Sequence, residues 1–497
     1  MAGPGVGGGS SAPTTGLAGG VRKPYHPDPR WLELGNSLSD PVDPARFPEH
    51  VLRFANRDAA ASVGLAAACD AGWIRSFGRF EPLPGNLGVP LALRYHGHQF
   101  GHYNPQLGDG RGFLYAQVRD GAGRLLDVGT KGSGTTPYSR GGDGRLTLQG
   151  GVREVLAAEL LEALGVPTCR ILALVETGQR LWRNDEPSPT RSCVLTRLSW
   201  SHVRIGMFQR LAYEGDATGM WALLRYVAAH LVTEAQGEDA ELPVRVLRAV
   251  GRRVSHTIGR YMAAGFVHGV LNTDNINVTG ESFDYGPWRF TPLWTPGFVA
   301  AYFDHAGRYA FGRQMQAGVW GVLQLAKSLE LVASTSALQG AIDDLGDVAR
   351  QAVTRGILGR LALAPRGPEE DLEVAVSAVS LMRDGEVGID RFFHDWRGGE
   401  ASAARATEGP AAGAYVGPRM EALRKAWVDH EPAAGAGLDH PVWQETPVSL
   451  HIEEVRALWQ RIADDDDWKP LAAKVAAIRR LRHAMGHGSE TRVAELF

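Results

Sequence analysis

The order of hydrophobic patterns along these 497 residues predicts an α+β fold in two lobes. Three observations carry that expectation. Short apolar runs bounded by Gly, Pro or Asp recur through the first two hundred residues and read as strands. One strong amphipathic helix interrupts them, with Val152, Val155, Leu156, Leu160, Leu161 and Leu164 at helical spacing. Beyond Ser199 the pattern turns helical. The expected molecule has a β-rich N-terminal lobe with one key helix, a mostly helical C-terminal lobe, and a C-terminal helical extension.

Residues 1–24 are Gly, Ala, Ser, Pro and Thr with almost no charge and read as a disordered tail. They lack the basic start and apolar block of a secretory signal and the Arg content of a transit peptide. Residues 25–200 make up the first lobe. It should hold a helix over 58–71, a Gly/Pro-rich segment at 82–90, and strands at 91–95, 112–118 and 125–131. Gly165 should stop the amphipathic helix, before strands at 170–176 and 192–199 around a polar loop at 184–190. Residues 201–397 form the second lobe, with helices at 220–235, 243–264, 319–332, 342–355 and 369–383. The Gly/Ala-rich stretch 398–417 reads as a linker, so that 398–497 is the extension. The acidic run 464–467 reads as a solvated turn capping the next helix, not as a metal site.

Composition narrows the class. Apolar content of 44% and charged content of 22% are those of an ordinary globular protein. A formal net charge of −3 gives no footing for general nucleic-acid binding or a polybasic membrane anchor. No apolar run is long enough to span a bilayer. Cys69, Cys169 and Cys193 are odd in number, widely spaced and in apolar surroundings, as buried inert thiols in a reducing cytoplasm would be.

The chemistry concentrates in two clusters. His268-Gly269-Val270-Leu271-Asn272-Thr273-Asp274-Asn275 is followed, ten positions after Asp274, by Asp284-Tyr285-Gly286. Kinase-like folds hold a metal against a nucleoside triphosphate with two such clusters, the first written H-R-D-x-x-x-x-N or H-G-D-x-x-x-x-N. Here Val270 stands where the catalytic Asp would be. Asn275 and Asp284 offer an amide oxygen and a carboxylate suited to Mg²⁺ on phosphates, with Mn²⁺ as an alternative. Asp274 is the remaining candidate base, or else a turn-stabilising residue.

Upstream, Gly-Asp-Gly-Arg occurs twice, at 108–111 and 142–145. Glycines let backbone N–H groups close on phosphate, and each Arg adds a charged fork. Gly108, Gly110, Arg111, Asp143 and Gly144 are therefore candidate nucleotide contacts. Between the copies Lys131 ends an apolar strand, and Glu154 follows at the start of the next helix. In kinase folds such a Lys meets phosphates and is held by such a Glu. Arg197 and Arg204 would neutralise a triphosphate or else form interlobe salt bridges.

Together with Tyr95-His96-Gly97-His98-Gln99-Phe100-Gly101 and Lys131 through Arg140, these segments resemble the selenoprotein O (SelO) family of kinase-fold protein adenylyltransferases, over roughly residues 90–290. The resemblance implies transfer of AMP from ATP to Ser, Thr or Tyr hydroxyls of proteins, with the nucleotide turned end for end relative to kinases. It implies that Gly108, Gly110, Arg111, Lys131, Asp143, Gly144, Arg197, Arg204 and Asp284 hold the nucleotide and that Glu154 supports Lys131. Asn275 and Asp284 would bind Mg²⁺, and Asp274 would accept the proton. The partners implied are ATP and protein substrates, and the expected protein is a cytoplasmic monomer. Kinase-type transfer, transfer of another nucleotide, and a non-catalytic nucleotide-binding scaffold are the alternatives. Many family members end in a redox-active Cys or selenocysteine segment, whereas this chain ends Val493-Ala494-Glu495-Leu496-Phe497. Trp288 and Arg289 make the segment after Gly286 bulkier and more polar than the family pattern, which bears on acceptor specificity.

Overall fold

The structure is a computed structural model describing residues 24–65, 69–385 and 387–486. Apart from Pro24, the expected tail lies outside the described residues. The described residues contain twelve strands: β1 (Ser39–Pro41), β2 (Val51–Ala55), β3 (Leu91–Leu93), β4 (Gly97–Gln99), β5 (His102–Asn104), β6 (Leu114–Arg119), β7 (Leu125–Lys131), β8 (Leu146–Thr147), β9 (Arg170–Leu181), β10 (Thr190–Ser199), β11 (Phe266–Val267) and β12 (Arg289–Phe290). The main sheet is antiparallel and runs β1-β3-β6-β7-β10-β9-β2, with β8 paired to β10. Every residue of β7 is buried. A carboxylate there must be bonded, and Asp127 accepts from Gln117 Nε2 at 2.7 Å and His202 N at 2.7 Å.

Helix α1 (Leu148–Ala163) lies on this sheet, against β9 and β10. Its Val152, Val155, Leu156 and Leu160 join Leu174 and Leu195 of the sheet in one core. Thr147 caps it, accepting from Gly150 N at 3.1 Å, so the helix starts four residues before its apolar stripe. That start corrects one expectation. Glu154 sits in the second turn and not the first, out of reach of the helix-dipole effect.

The helical part follows β10. It comprises α2 (Ile205–Glu214), α3 (Ala217–His230), α4 (Leu242–Ala263), α5 (Gln314–Leu329), α6 (Leu345–Leu361), α7 (Pro368–Asp384), α8 (Pro418–Trp427), α9 (Ile452–Asp465) and α10 (Lys469–Ala484), with shorter helices between them. α4 packs against α5 and α6 and delivers the chain to β11 and the His268 loop. No helix among the described residues is long and apolar enough to cross a membrane.

Three further expectations are corrected. The helix over 58–71 is split into Arg57–Ser62 and Asp70–Trp73; Gly64 intervenes at φ +75°, its Cα so close to Tyr25 that a Cβ would lie 2.3 Å from Tyr25 N. The presumed linker 398–417 contains the helices Gly399–Ser402 and Ala403–Thr407, and buries Ala406 and Tyr415 in a core with Trp396 and Trp427. Its alanines pack, which composition alone did not reveal. Cys69 is exposed, because the four-residue helix it precedes buries only Trp73. Cys169 and Cys193 are buried as expected, and burial pushes both thiols up.

Candidate active site

The floor of the site is Asp284, on the loop after Phe283, at φ +60°. Its Oδ1 accepts from Arg197 Nη1 at 2.7 Å and Lys131 Nζ at 3.1 Å, and its Oδ2 from Arg204 Nη1 at 3.3 Å. Burial by itself would raise this carboxyl. The neighbouring Arg197, Lys131 and Arg204 instead hold it well below the usual carboxylate range. β7 supplies Lys131 and β10 supplies Arg197, so sheet register fixes two of the three cations. Lys131 also donates to Glu154 of α1, and both side chains are buried. Arg197 and Arg204 therefore bridge distant segments and line the cleft at once.

The loop bearing Asp274 is pinned residue by residue. Asn272 Oδ1 accepts from Phe100 N at 3.1 Å and Tyr309 OH at 2.6 Å, and Thr273 Oγ1 accepts from His98 N at 2.7 Å. Thr273 Oγ1 in turn donates to Gln209 Oε1 at 2.6 Å. The segment 97–101, prominent in the sequence, thus works as a clamp on this loop. Asn275 Nδ2 donates to Val270 O at 2.8 Å, and among the described residues no donor reaches its Oδ1. Asp274 is buried, and among the described residues its Oδ1 has no hydrogen-bond partner. Burial pushes its carboxyl up to about 6. A buried oxygen without a partner is costly unless something else satisfies it.

The two Gly-Asp-Gly-Arg turns face the same space. In the first, Asp109 Oδ1 accepts from Arg204 Nη2 at 3.2 Å and Oδ2 from Leu93 N at 3.2 Å. A Cβ on Gly110 would lie 2.7 Å from Tyr138 O, so only glycine permits that approach. In the second, Asp143 accepts from Arg145 N at 3.0 Å and pairs with Arg183 at 2.9 Å. Gly144, at φ +66°, would put a Cβ 2.2 Å from Gly134 backbone. The guanidinium of Arg111 is exposed and, among the described residues, has no partner.

The two turns, the three cations and the Asp274 and Asp284 carboxylates open onto one cleft of about 630 Å³. Its lining includes Gly108, Gly110, Arg111, Lys131, Asp143, Gly144, Arg197, Arg204, Asp274, Asn275 and Asp284, which is every predicted contact residue; Glu154 stands behind Lys131. Seven basic and four acidic side chains line it, an excess of positive charge in a chain of net charge −3. Arg145, the fork of the second turn, lines it too, as do Tyr95 and Arg140 of the resemblance segments; Asp109 and Arg183, to which the sequence assigns no role, complete the lining. The Tyr95 ring lies 4.3 Å from the Arg204 guanidinium carbon. Trp288 plays another part than expected. It is buried, stacked on Phe266, with Arg153 over its ring at 4.8 Å. Among the described residues no group of three or more His, Cys, Asp and Glu could hold a metal alone. Asn275 Oδ1 and the Asp284 carboxylate are the oxygens in the cleft that could hold a hydrated Mg²⁺ completed by phosphate oxygens.

A glycine-edged cleft with converging cations suits a phosphate-bearing anion and not an apolar ligand. The chain belongs to the SelO family: the family model described as "Protein adenylyltransferase SelO" matches residues 23–479. A protein nucleotidyltransferase YdiU of Synechococcus elongatus is 42% identical over 480 residues, covering 93% of this chain and 95% of the relative. Its namesake in Synechocystis is 41% identical over 461 residues, 89% of this chain and 95% of the relative. That of Gloeobacter violaceus is 39% identical over 462 residues, with 91% and 95% covered.

Proposed function

We propose that this chain is a protein adenylyltransferase, moving AMP from ATP to Ser, Thr or Tyr hydroxyls and releasing pyrophosphate. One observation carries the reading most directly. Lys131, Arg197 and Arg204 converge on Asp284 in the same cleft where Asp274 presents a buried, unpartnered carboxylate oxygen. In our reading the sheet with α1 and the helical part form a kinase-like bilobal fold, supported by the strand Lys paired to a helix Glu. The buried, unpaired thiols Cys169 and Cys193 favour a cytoplasmic setting.

In this mechanism the Gly-Asp-Gly-Arg turns and the three cations hold the triphosphate with its α-phosphate toward Asp274. Asp274 accepts the proton of the incoming hydroxyl, whose oxygen bonds to the α-phosphorus. The bond from that phosphorus to the bridging oxygen breaks, and the electron pair leaves with pyrophosphate. Lys131, Arg197 and Arg204 stabilise the charge that builds on the leaving group. Asn275 and Asp284 would hold Mg²⁺, or Mn²⁺, which supplies charge neutralisation to phosphate oxygens.

The test uses ATP labelled at either the α- or the γ-phosphate, with Mg²⁺ and a protein mixture. Covalent label from the α-position alone is expected. Label from the γ-position alone would make the chain a kinase, and binding without transfer would make it a scaffold. Asp274→Ala should slow transfer by about a hundredfold or more while ATP affinity, measured by equilibrium binding, changes little.

A further inference from the structure

We propose that the C-terminal hairpin of α9 and α10 positions Glu154, and through it Lys131, with Arg479 and Arg482 as the positioning residues. The inference rests on the cleft binding a nucleotide as argued above. α1 carries Glu154 toward the cleft and presents Glu159 and Glu162 to α10. Arg479 grips Glu159 with two hydrogen bonds of 2.9 and 2.7 Å, and Arg482 Nη1 donates to Glu162 Oε2 at 2.6 Å. Val475, Ile478 and Leu481 of α10 join the core that holds Val155 and Leu156 of α1. At the other end of the hairpin Asp466 pairs with Arg191 of β10 at 2.7 Å and Arg53 of β2 at 3.2 Å. Both of those arginines also pair with Glu176 of β9. The hairpin therefore straps α1 to the far edge of the sheet.

The strap matters because Glu154 is weakly held by its own surroundings. One carboxylate oxygen accepts from Lys131, while Oε2 is buried and has no partner among the described residues. Its position is set by where α1 lies, so a shift of α1 releases Lys131 toward Asp284 alone. Misplacement of a charged group on this scale costs function steeply.

The experiment is a double-mutant cycle on ATP binding. The R479A/R482A variant should bind ATP about tenfold more weakly than wild type. In an E154Q background the same pair of substitutions should add less than about twofold, because the link they act through is already cut. Arg479→Lys with Arg482→Lys, which keeps the charges, should recover most of the affinity. Arg480→Ala on the same helix removes a surface pair with Glu445 and serves as the control. Equal losses in both backgrounds, or R479A/R482A indistinguishable from the Arg480 control, would overturn the proposal. Amide exchange gives a second readout that is independent of nucleotide. Residues 148–163 should exchange faster in R479A/R482A while α4 is unchanged; unaltered exchange in 148–163 would overturn the strap. A wild-type protein that binds no ATP would sink the functional reading, and amide exchange would still decide the strap.

Discussion

The same tetrapeptide, Gly-Asp-Gly-Arg, meets opposite fates at its two sites. At 108–111 the aspartate is nearly buried and shares Arg204 with Asp284, so the turn belongs to the electrostatic floor of the cleft. At 142–145 the aspartate side chain is 47% exposed, and its partner Arg183 comes from the loop between β9 and β10. The first turn is built into the site and the second forms part of its rim. Identical local chemistry thus takes its role from what the tertiary fold brings opposite it.

Removing the group that the first turn reaches through Arg204 should have the largest effect. Asp284→Ala should abolish detectable transfer, a loss of about a thousandfold or more. It should also cost roughly 3–5 kcal/mol in urea unfolding, since it leaves buried cations without their carboxylate. Normal turnover would refute the metal and phosphate assignment. Asp109→Asn comes next. Arg204 keeps Tyr95 and Asp284, so the loss should be about 1–3 kcal/mol of stability, read from the shift in urea midpoint. A change no larger than that of Asp143→Asn would erase the contrast between the two turns.

Asp143→Asn should have the smallest effect, under about 1 kcal/mol, because its pair with Arg183 is half exposed to solvent. Partial burial opposes ionisation of Asp143, but Arg183 and the Arg145 N–H outweigh it and hold the carboxyl below its ordinary value. A depressed carboxyl stabilises the fold fully above the unfolded value, about pH 4. That contribution is lost as pH falls further, through the folded value. Urea midpoints of Asp143→Asn and wild type should therefore differ above about pH 4 and converge below it. A constant difference down to acid pH would deny Asp143 its ion pair.

Much of the site was legible because its residues sit in short segments with fixed internal geometry. Lys131 at the end of an apolar strand, Glu154 on the next helix, and the clusters at 268–275 and 284–286 all announced themselves by spacing. Asp109 lay inside a recognised turn, but its burial depends on Arg204, 95 residues away, and no local pattern encodes that pairing. Arg183 lies just before the polar loop expected at 184–190 and carries no local signal, because its partner Asp143 is 40 residues away. The five strands expected from the sequence fall on β3, β6, β7, β9 and β10, while the short β1, β2, β4, β5 and β8 carry too little pattern to be seen; the Gly/Ala stretch 398–417 reads as a linker because small residues look alike in loops and in tight helical packing. The run 464–467 shows both outcomes at once. Asp467 Oδ1 accepts from Lys469 N at 3.1 Å as a cap, while Asp466 docks on two sheet arginines. The packing of α10 on α1 joins residues 320 apart, which a reading of local periods cannot reach.

The central claim is that the cleft delivers the α-phosphate to a protein hydroxyl, and product analysis tests it most directly. Wild-type protein, Mg²⁺, ATP and an acceptor mixture should yield pyrophosphate and AMP-bearing protein in equal amounts, with both lost together in Asp284→Ala. Formation of ADP with phosphorylated protein, and no pyrophosphate, would contradict the account.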